Sequence, residues 1–232
     1  AFYSGWLTAH PNKELIYALL FSPQNLGASV LRVQNVYGHV QDAPNPFDPD
    51  TQEVVAKATV YRGAPVTVLM SSWSPPAALK ASGAVSCVGD SQTEPGCTLS
   101  KLGGAFDYAG YAQYWYDSLA AYSALGVKPS YISLQNEPDW TPKGYAGCRF
   151  DPAETPGGIY AGYAQALDAT YAKLATLPDP PAIAGPEVVG LGYNGIENYL
   201  AALKQSELGA VAHHLYHGGD SASPDSLGAA MR

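Results

Sequence analysis

The sequence predicts an α/β fold in which parallel strands, joined by helical crossovers, curl towards a (β/α)8 barrel. Three observations predict it. Short apolar or β-branched runs alternate with helical patterns along the chain, which calls for parallel strands and right-handed crossovers. Polar and aromatic residues gather at the carboxyl ends of those runs, where a barrel builds its site. The turn after the first run, "RVQNVYGH", lacks the G-x-G-x-x-G phosphate loop that an open doubly wound sheet would want.

Taken in order, a helical pattern over residues 13–21 precedes the first strand at 29–34 ("SVLRVQ"). A helix over 52–61 then leads to a strand at 66–71 ("VTVLMS"), and a helix over 108–125 leads to a strand at 131–135 ("YISLQ"). A helix over 159–174 leads to 181–185 ("PAIAG"), and one over 195–204 leads to 210–215 ("AVAHHL"). The strand ends carry Gln34, Asn35 and Tyr37, then Ser72 and Trp73, Asn136 and Glu137, Glu187, and finally His213, His214 and Tyr216. Two long stretches, 83–104 and 139–158, follow strands at that same end and read as the walls of a cleft. With no internal repeat and no biased linker, residues 1–232 read as one domain.

Composition narrows the function classes. The chain has 232 residues, 47% of them hydrophobic and 14% charged, which is globular rather than disordered. A net charge of -8 argues against a nucleic-acid partner, and no apolar run is long enough to span a membrane. Seventeen tyrosines and four tryptophans suit either stacking on sugar rings or ordinary core packing. Cys87, Cys97 and Cys148 lie in loop-like stretches without metal-finger spacing, so no metal or cofactor is expected. One disulfide with a thiol left over is the expectation, and it leans towards secretion. A Cys97–Cys148 bridge is expected over Cys87–Cys97, because tying the two rim loops closes about fifty residues and restricts the unfolded chain more.

Glu137 is the leading catalytic candidate. In "ISLQNEPDW" the proline stops both ladder and helix, leaving a carboxylate at the mouth of a strand. Cleavage of a glycosidic bond needs a carboxylic acid to protonate the leaving oxygen. Asn136 beside it can donate its amide to a sugar hydroxyl. Trp73, held by "SPP", offers a flat apolar face to a sugar or packs as a core indole, and Trp140 is a cleft wall or loop packing. Arg32, between Leu31 and Val33 in a buried strand, should pair with a carboxylate, either structurally or to position a catalytic group. Neighbouring strand residues face opposite ways, so His213 and His214 cannot enter one site, and no zinc site follows from them. Tyr216 shares the face of His214 and is the better candidate to point a hydroxyl at a reacting group. Of the other glutamates, only Glu187 stands at a strand end, which makes it the alternative second carboxylate.

The segments "LGASVLRVQN", "VLMSSWSPPAALKASG", "YISLQNEPDW", "CRFDPAE", "AIAGPEVVGLGYN" and "VAHHLYHGG" resemble glycoside hydrolase family 30, of the retaining (β/α)8 glycosidase clan, and look most like its fungal-type xylanase branch. The resemblance implies a polysaccharide substrate such as xylan, an extracellular setting and no cofactor. By position it implies Glu137 as general acid/base, Asn136 at the sugar 2-hydroxyl, Trp73 in the wall around the sugar, Tyr216 orienting the nucleophile and Arg32 bracing the catalytic carboxylates. In that clan the nucleophile glutamate follows the seventh strand. The runs here match strands two to six, so the nucleophile and the closing strands are expected from outside these residues, a second chain being one source. A silent carbohydrate-binding barrel, or a sister hydrolase of β-glucan or β-1,6-galactan, is the competing expectation.

Overall fold

A computed structural model describes residues 4–39, 49–87, 94–142, 144–190 and 195–214. In chain order its elements are α1 (Ser4–Ala9), α2 (Lys13–Phe21), β1 (Val30–Asn35), α3 (Pro49–Arg62), β2 (Thr67–Ser72), the hairpin β3 (Lys101–Leu102) and β4 (Ala105–Phe106), α4 (Tyr108–Ala124) and β5 (Tyr131–Ser133). Then follow β6 (Phe150–Asp151), β7 (Ala161–Gly162), α5 (Tyr163–Leu174), β8 (Ala182–Val188), α6 (Ile196–Ala202) and β9 (Ala210–His213).

Five of these strands form one sheet in the order β1-β2-β5-β8-β9, and every neighbouring pair in it is parallel. The spatial order repeats the chain order, with α3, α4, α5 and α6 as successive crossovers. A doubly wound sheet reverses its strand order at a switch point. There is no reversal among the described strands, so the winding is that of a barrel arc, as the sequence predicts.

The core lies between this arc and its helices. Val33, Val68, Met70, Ile132, Leu134 and Ile183 come from the strands and their ends, and Tyr17, Val54, Trp115, Tyr122 and Leu167 from the helices. The many tyrosines serve this layer: Tyr17, Tyr111, Tyr114, Tyr122, Tyr163 and Tyr199 are buried. All but the Tyr163 hydroxyl find hydrogen-bond partners, as Tyr114 does with Ser72 Oγ at 3.1 Å, and Tyr199 by donating to the Phe150 carbonyl at 2.6 Å. Of the two readings of the aromatic content, core packing accounts for these six.

Three expectations change. The helix expected over 159–174 starts at Tyr163, because tertiary bonds claim the residues before it: Ala161 N–H donates to Thr98 Oγ1 at 2.9 Å and Gly162 N–H to Tyr108 Oη at 2.7 Å. The preferred Cys97–Cys148 bridge is not formed; Cys87 is bonded to Cys97, and Cys148 is a buried free thiol. The two rim loops are nonetheless tied, by hydrogen bonds instead: Cys87 N–H to the Tyr145 carbonyl at 3.3 Å, Gly147 N–H to the Val85 carbonyl at 3.2 Å and Arg149 N–H to the Cys97 carbonyl at 2.6 Å. The buried Lys80 ammonium adds a bond to the Gly147 carbonyl. Chain entropy weighs only the unfolded chain, whereas native geometry decides which thiols meet, and here the Cys87 and Cys97 Cα atoms stand 4.9 Å apart. Finally, the long stretch before α4 holds a β-hairpin whose turn is Gly103-Gly104, both at positive φ, as a two-residue hairpin turn demands.

Candidate active site

Strand register brings the polar residues to one end of the arc. Gln34 of β1 stands level with Ser71 of β2, which stands level with Ser133 of β5. The chain beyond β5 reaches Asn136, whose N–H donates to the Ser72 carbonyl at 2.7 Å, and turns at Glu137, where Trp140 N–H donates to the Glu137 carbonyl at 3.0 Å. In β8 the pairing with β9 slips between Pro186 and Val188, leaving Glu187 as an extra residue. Such a bulge re-aims a side chain, and it does so here, turning Glu187 inward.

Glu137 and Glu187 are the only non-glycine residues at positive φ among the described residues, at 50° and 62°. Left-handed backbone at a non-glycine residue costs on the order of 1–3 kcal/mol and collects at functional sites. The two strained residues touch directly, Glu137 N–H donating to the Glu187 carbonyl at 3.0 Å.

Their side chains are joined by one imidazole. His214, just past β9, places Nδ1 2.8 Å from Glu137 Oε1 and Nε2 3.3 Å from Glu187 Oε1. Arg32 Nη2 lies 2.6 Å from Glu187 Oε1 and donates to Asn136 Oδ1 at 2.7 Å. Ser71 donates to Glu187 Oε2 at 2.6 Å. The carboxylate expected for Arg32 is therefore Glu187, and the same guanidinium fixes the amide of Asn136. With Oδ1 occupied, Nδ2 is the end of that amide turned away from Arg32.

Electrostatics follow from these contacts. Burial by itself would lower the His214 pKa, but its hydrogen bonds to Glu137 and Glu187 outweigh that and push it up to about 9. Burial by itself would raise the Glu187 carboxyl; bonding to His214, the Arg32 charge and the Ser71 hydroxyl hold it below the usual carboxylate value. The Glu187 side chain is only 3% exposed, whereas that of Glu137 is 13% exposed.

The remaining expected site residues divide. Trp73 is 9% exposed and has the Arg32 guanidinium 4.4 Å above its ring, so one face is already covered. Trp140 is half-buried in the turn after Glu137. His213 points elsewhere, its Nδ1 lying 3.2 Å from the His214 carbonyl oxygen, and Asn35 faces the helical layer, donating to Ser118 Oγ at 2.9 Å. Tyr216 lies outside the described residues. Sequence reasoning missed Ser71 and Asp139. Asp139 is buried and accepts from Val189 N–H at 3.0 Å, locking the Glu137 turn to the end of β8. The double serine before Trp73 was the available signal for Ser71. No comparable signal marked Asp139. Among the described residues no group of three or more histidines, cysteines or carboxylates is placed to hold a metal ion.

No family model matches the chain, and no curated protein matches it. Solved structures do. The chain is similar to the catalytic domain of GH30 xylanase C from Talaromyces cellulolyticus, with TM-score 0.67 and 19% identity over 93% of this chain and 51% of that one. It is similar to the glycoside hydrolase family 30 subfamily 8 xylanase Xyn30A from Clostridium acetobutylicum, with TM-score 0.57 and 23% identity over 86% of this chain and 46% of that one. It is also similar to the endo-beta1,6-glucanase BT3312, with TM-score 0.63 and 15% identity over 90% and 49%. At these identities the likeness is one of fold: the chain is part of a (β/α)8 barrel of the kind found in GH30 glycosidases, and it spans about half the length of those chains.

Proposed function

We propose that this chain is the acid/base half of a retaining glycoside hydrolase acting on β-1,4-xylan, of the fungal-type xylanase branch of family 30. The observation that carries the reading is Glu137: a strained, partly exposed carboxyl at a strand end, bonded through Oε1 to His214 and flanked by the Arg32-held amide of Asn136. One carboxyl oxygen is braced, which leaves Oε2 for the leaving oxygen of the scissile bond. Glu137 protonates that oxygen, and after a glycosyl-enzyme forms it takes a proton from water. Asn136 Nδ2 bonds the sugar 2-hydroxyl, with Trp73 and Trp140 beside the ring and Tyr216 directed at the nucleophile. The nucleophilic glutamate comes from residues beyond those described, either on the same polypeptide or on a second chain that completes the barrel. In this reading residues 1–232 belong to one catalytic domain, and the Cys87–Cys97 bridge supports an extracellular location.

The test is release of reducing ends from xylan, β-1,6-glucan and β-1,6-galactan by the protein that carries this chain. Xylo-oligosaccharide products support the reading. Binding of xylan without turnover, under conditions where the barrel is complete, favours a silent carbohydrate-binding barrel. Hydrolysis confined to β-1,6-glucan favours a sister specificity, to which the fold likeness with the β-1,6-glucanase lends support.

A further inference from the structure

Glu187 is a carboxylate at a strand end in the same site as Glu137, yet its surroundings do not suit a nucleophile. A nucleophile must present an oxygen to the anomeric carbon. Both oxygens of Glu187 are taken, Oε1 by Arg32 and His214 and Oε2 by Ser71, and the side chain is almost wholly buried.

The imidazole between the two glutamates carries the argument further. Its two nitrogens each face a carboxyl oxygen, and a neutral ring has a single N–H. Three proton arrangements would satisfy both contacts. Two keep Glu187 ionised: a doubly protonated ring between two carboxylates, or a ring protonated at Nε2 whose Nδ1 accepts from a protonated Glu137. The third requires a protonated Glu187, which the ion pair with Arg32 and the bond from Ser71 oppose. The two allowed arrangements hold the same number of protons and differ only in where one of them sits, on His214 Nδ1 or on Glu137 Oε1.

Resting on the assignment of Glu137 as the acid, we infer that Glu187 is a positioning residue that, with Arg32, fixes the proton on His214 Nε2, so that His214 Nδ1 shares a proton with Glu137. The bulge and the positive φ at Glu187 are the backbone cost of placing a buried anion on the far side of that ring. As the acid, Glu137 carries one further proton on Oε2 while His214 is doubly protonated; when that proton passes to the leaving oxygen, the charge left on the carboxylate is met by the Nδ1–H of His214. When it later accepts a proton from water, the same contact returns to its starting state. Charged or titratable groups around this unit are Glu137 from the turn after β5, Glu187 from β8, Arg32 from β1 and, behind Glu187, Tyr163 from α5.

The experiment is nitrogen-15 NMR of the histidines through a pH titration, with His213→Ala used to assign the neighbouring ring. In the unmutated protein His214 is expected to stay protonated well into the alkaline range and, on losing its first proton, to keep the one on Nε2. A neutral ring protonated on Nδ1 overturns the proposal. In Glu187→Gln, which keeps the volume and removes the charge, the His214 pKa is expected to fall by roughly one unit or more; an unchanged value overturns it. If that variant fails to fold, the tautomer in the unmutated protein still decides. In the active enzyme Glu187→Gln is expected to move the alkaline limb of kcat/KM to lower pH while keeping turnover of an aryl glycoside with a good leaving group. Abolished turnover that added azide restores with inverted product would make Glu187 the nucleophile and end the proposal. A protein that cleaves no glycan at all removes the hydrolase reading but leaves the two NMR outcomes readable.

Discussion

Glu137→Gln is expected to lower turnover of xylan by a factor of about 100 or more, and to lower the first step on a good-leaving-group substrate far less, because such a group departs without protonation. Equal rates for variant and parent on xylan would remove Glu137 from the chemistry. Arg32→Leu is expected to cost about 3 kcal/mol, since it leaves Glu187 buried with only the neutral Ser71 hydroxyl and an imidazole already shared with Glu137 to meet its charge; urea unfolding measures it, and a loss below about 1 kcal/mol would mean the pair is not structural. The pH dependence has a definite sign. His214 rises from 6.5 to about 9 on folding, so its contribution is complete below pH 6.5 and is lost as pH climbs through 9. Glu187 is lowered from 4.5, so its contribution is complete above pH 4.5 and is lost as pH falls through the lower folded value. Urea midpoints are expected to peak between these limits, and His214→Gln should flatten the alkaline side; an unaltered alkaline slope in that variant would contradict the assignment. At this scale the sequence was informative where chemistry is local. Asn-Glu-Pro marks Glu137 because a proline must end the strand there. Glu187 and His214 were visible as strand-end residues, but their union through one ring depends on a bulge and a register slip between β8 and β9, which no local pattern announces.

Elements were legible to the extent that their own hydrogen bonds decide them. The helix expected at 13–21 is α2 to the residue, and the strands expected at 29–34 and 66–71 are each displaced by a single position. The ends of α4 have their own signals: Asp107 Oδ1 accepts from Gly110 N–H at 2.8 Å at the start, and Gly126 at φ 79° follows the stop. Asp107→Ala is therefore expected to cost about 1 kcal/mol, measured by thermal or urea unfolding; no loss would show that the cap is idle. The start of α5 was misplaced because Thr98 and Tyr108, distant in sequence, supply the bonds that hold Ala161 and Gly162 out of the helix. The disulfide pairing differs for a related reason, since loop closure weighs only the unfolded chain, while long-range packing in the fold sets which cysteines meet. Non-reducing peptide maps should show Cys87 bound to Cys97, with Cys148 alkylated far more slowly in the native protein than after unfolding. Removing the bridge as Cys87→Ser/Cys97→Ser should cost about 2–3 kcal/mol, as expected for so short a loop.

At the scale of the molecule, the arc has two outer strands, β1 and β9, each with a neighbour on one side only among the described residues. Beside β1 lies an apolar cavity of about 230 Å³ lined by Trp6, Leu20, Phe21, Leu31, Val33 and Val54. Trp6 is 63% exposed and Val30 62%. Unpaired parallel edges with apolar flanks invite pairing. Residues 1–232 produced by themselves are expected to sediment as more than a monomer, and a clean monomer at tens of micromolar would show the edges to be inert. Order and winding were readable because each strand sits beside the next one in sequence; what completes the circle was not, since nothing within an arc specifies its far side. One further consequence belongs to Cys148. Its thiol is sealed between the rim loops, and burial raises its pKa to about 11, so reagents in solution reach it only when the loops part. The rate at which it is alkylated under native conditions thus times the transient separation of the cleft's walls, and a glycan that spans both loops should slow that clock in proportion to its occupancy.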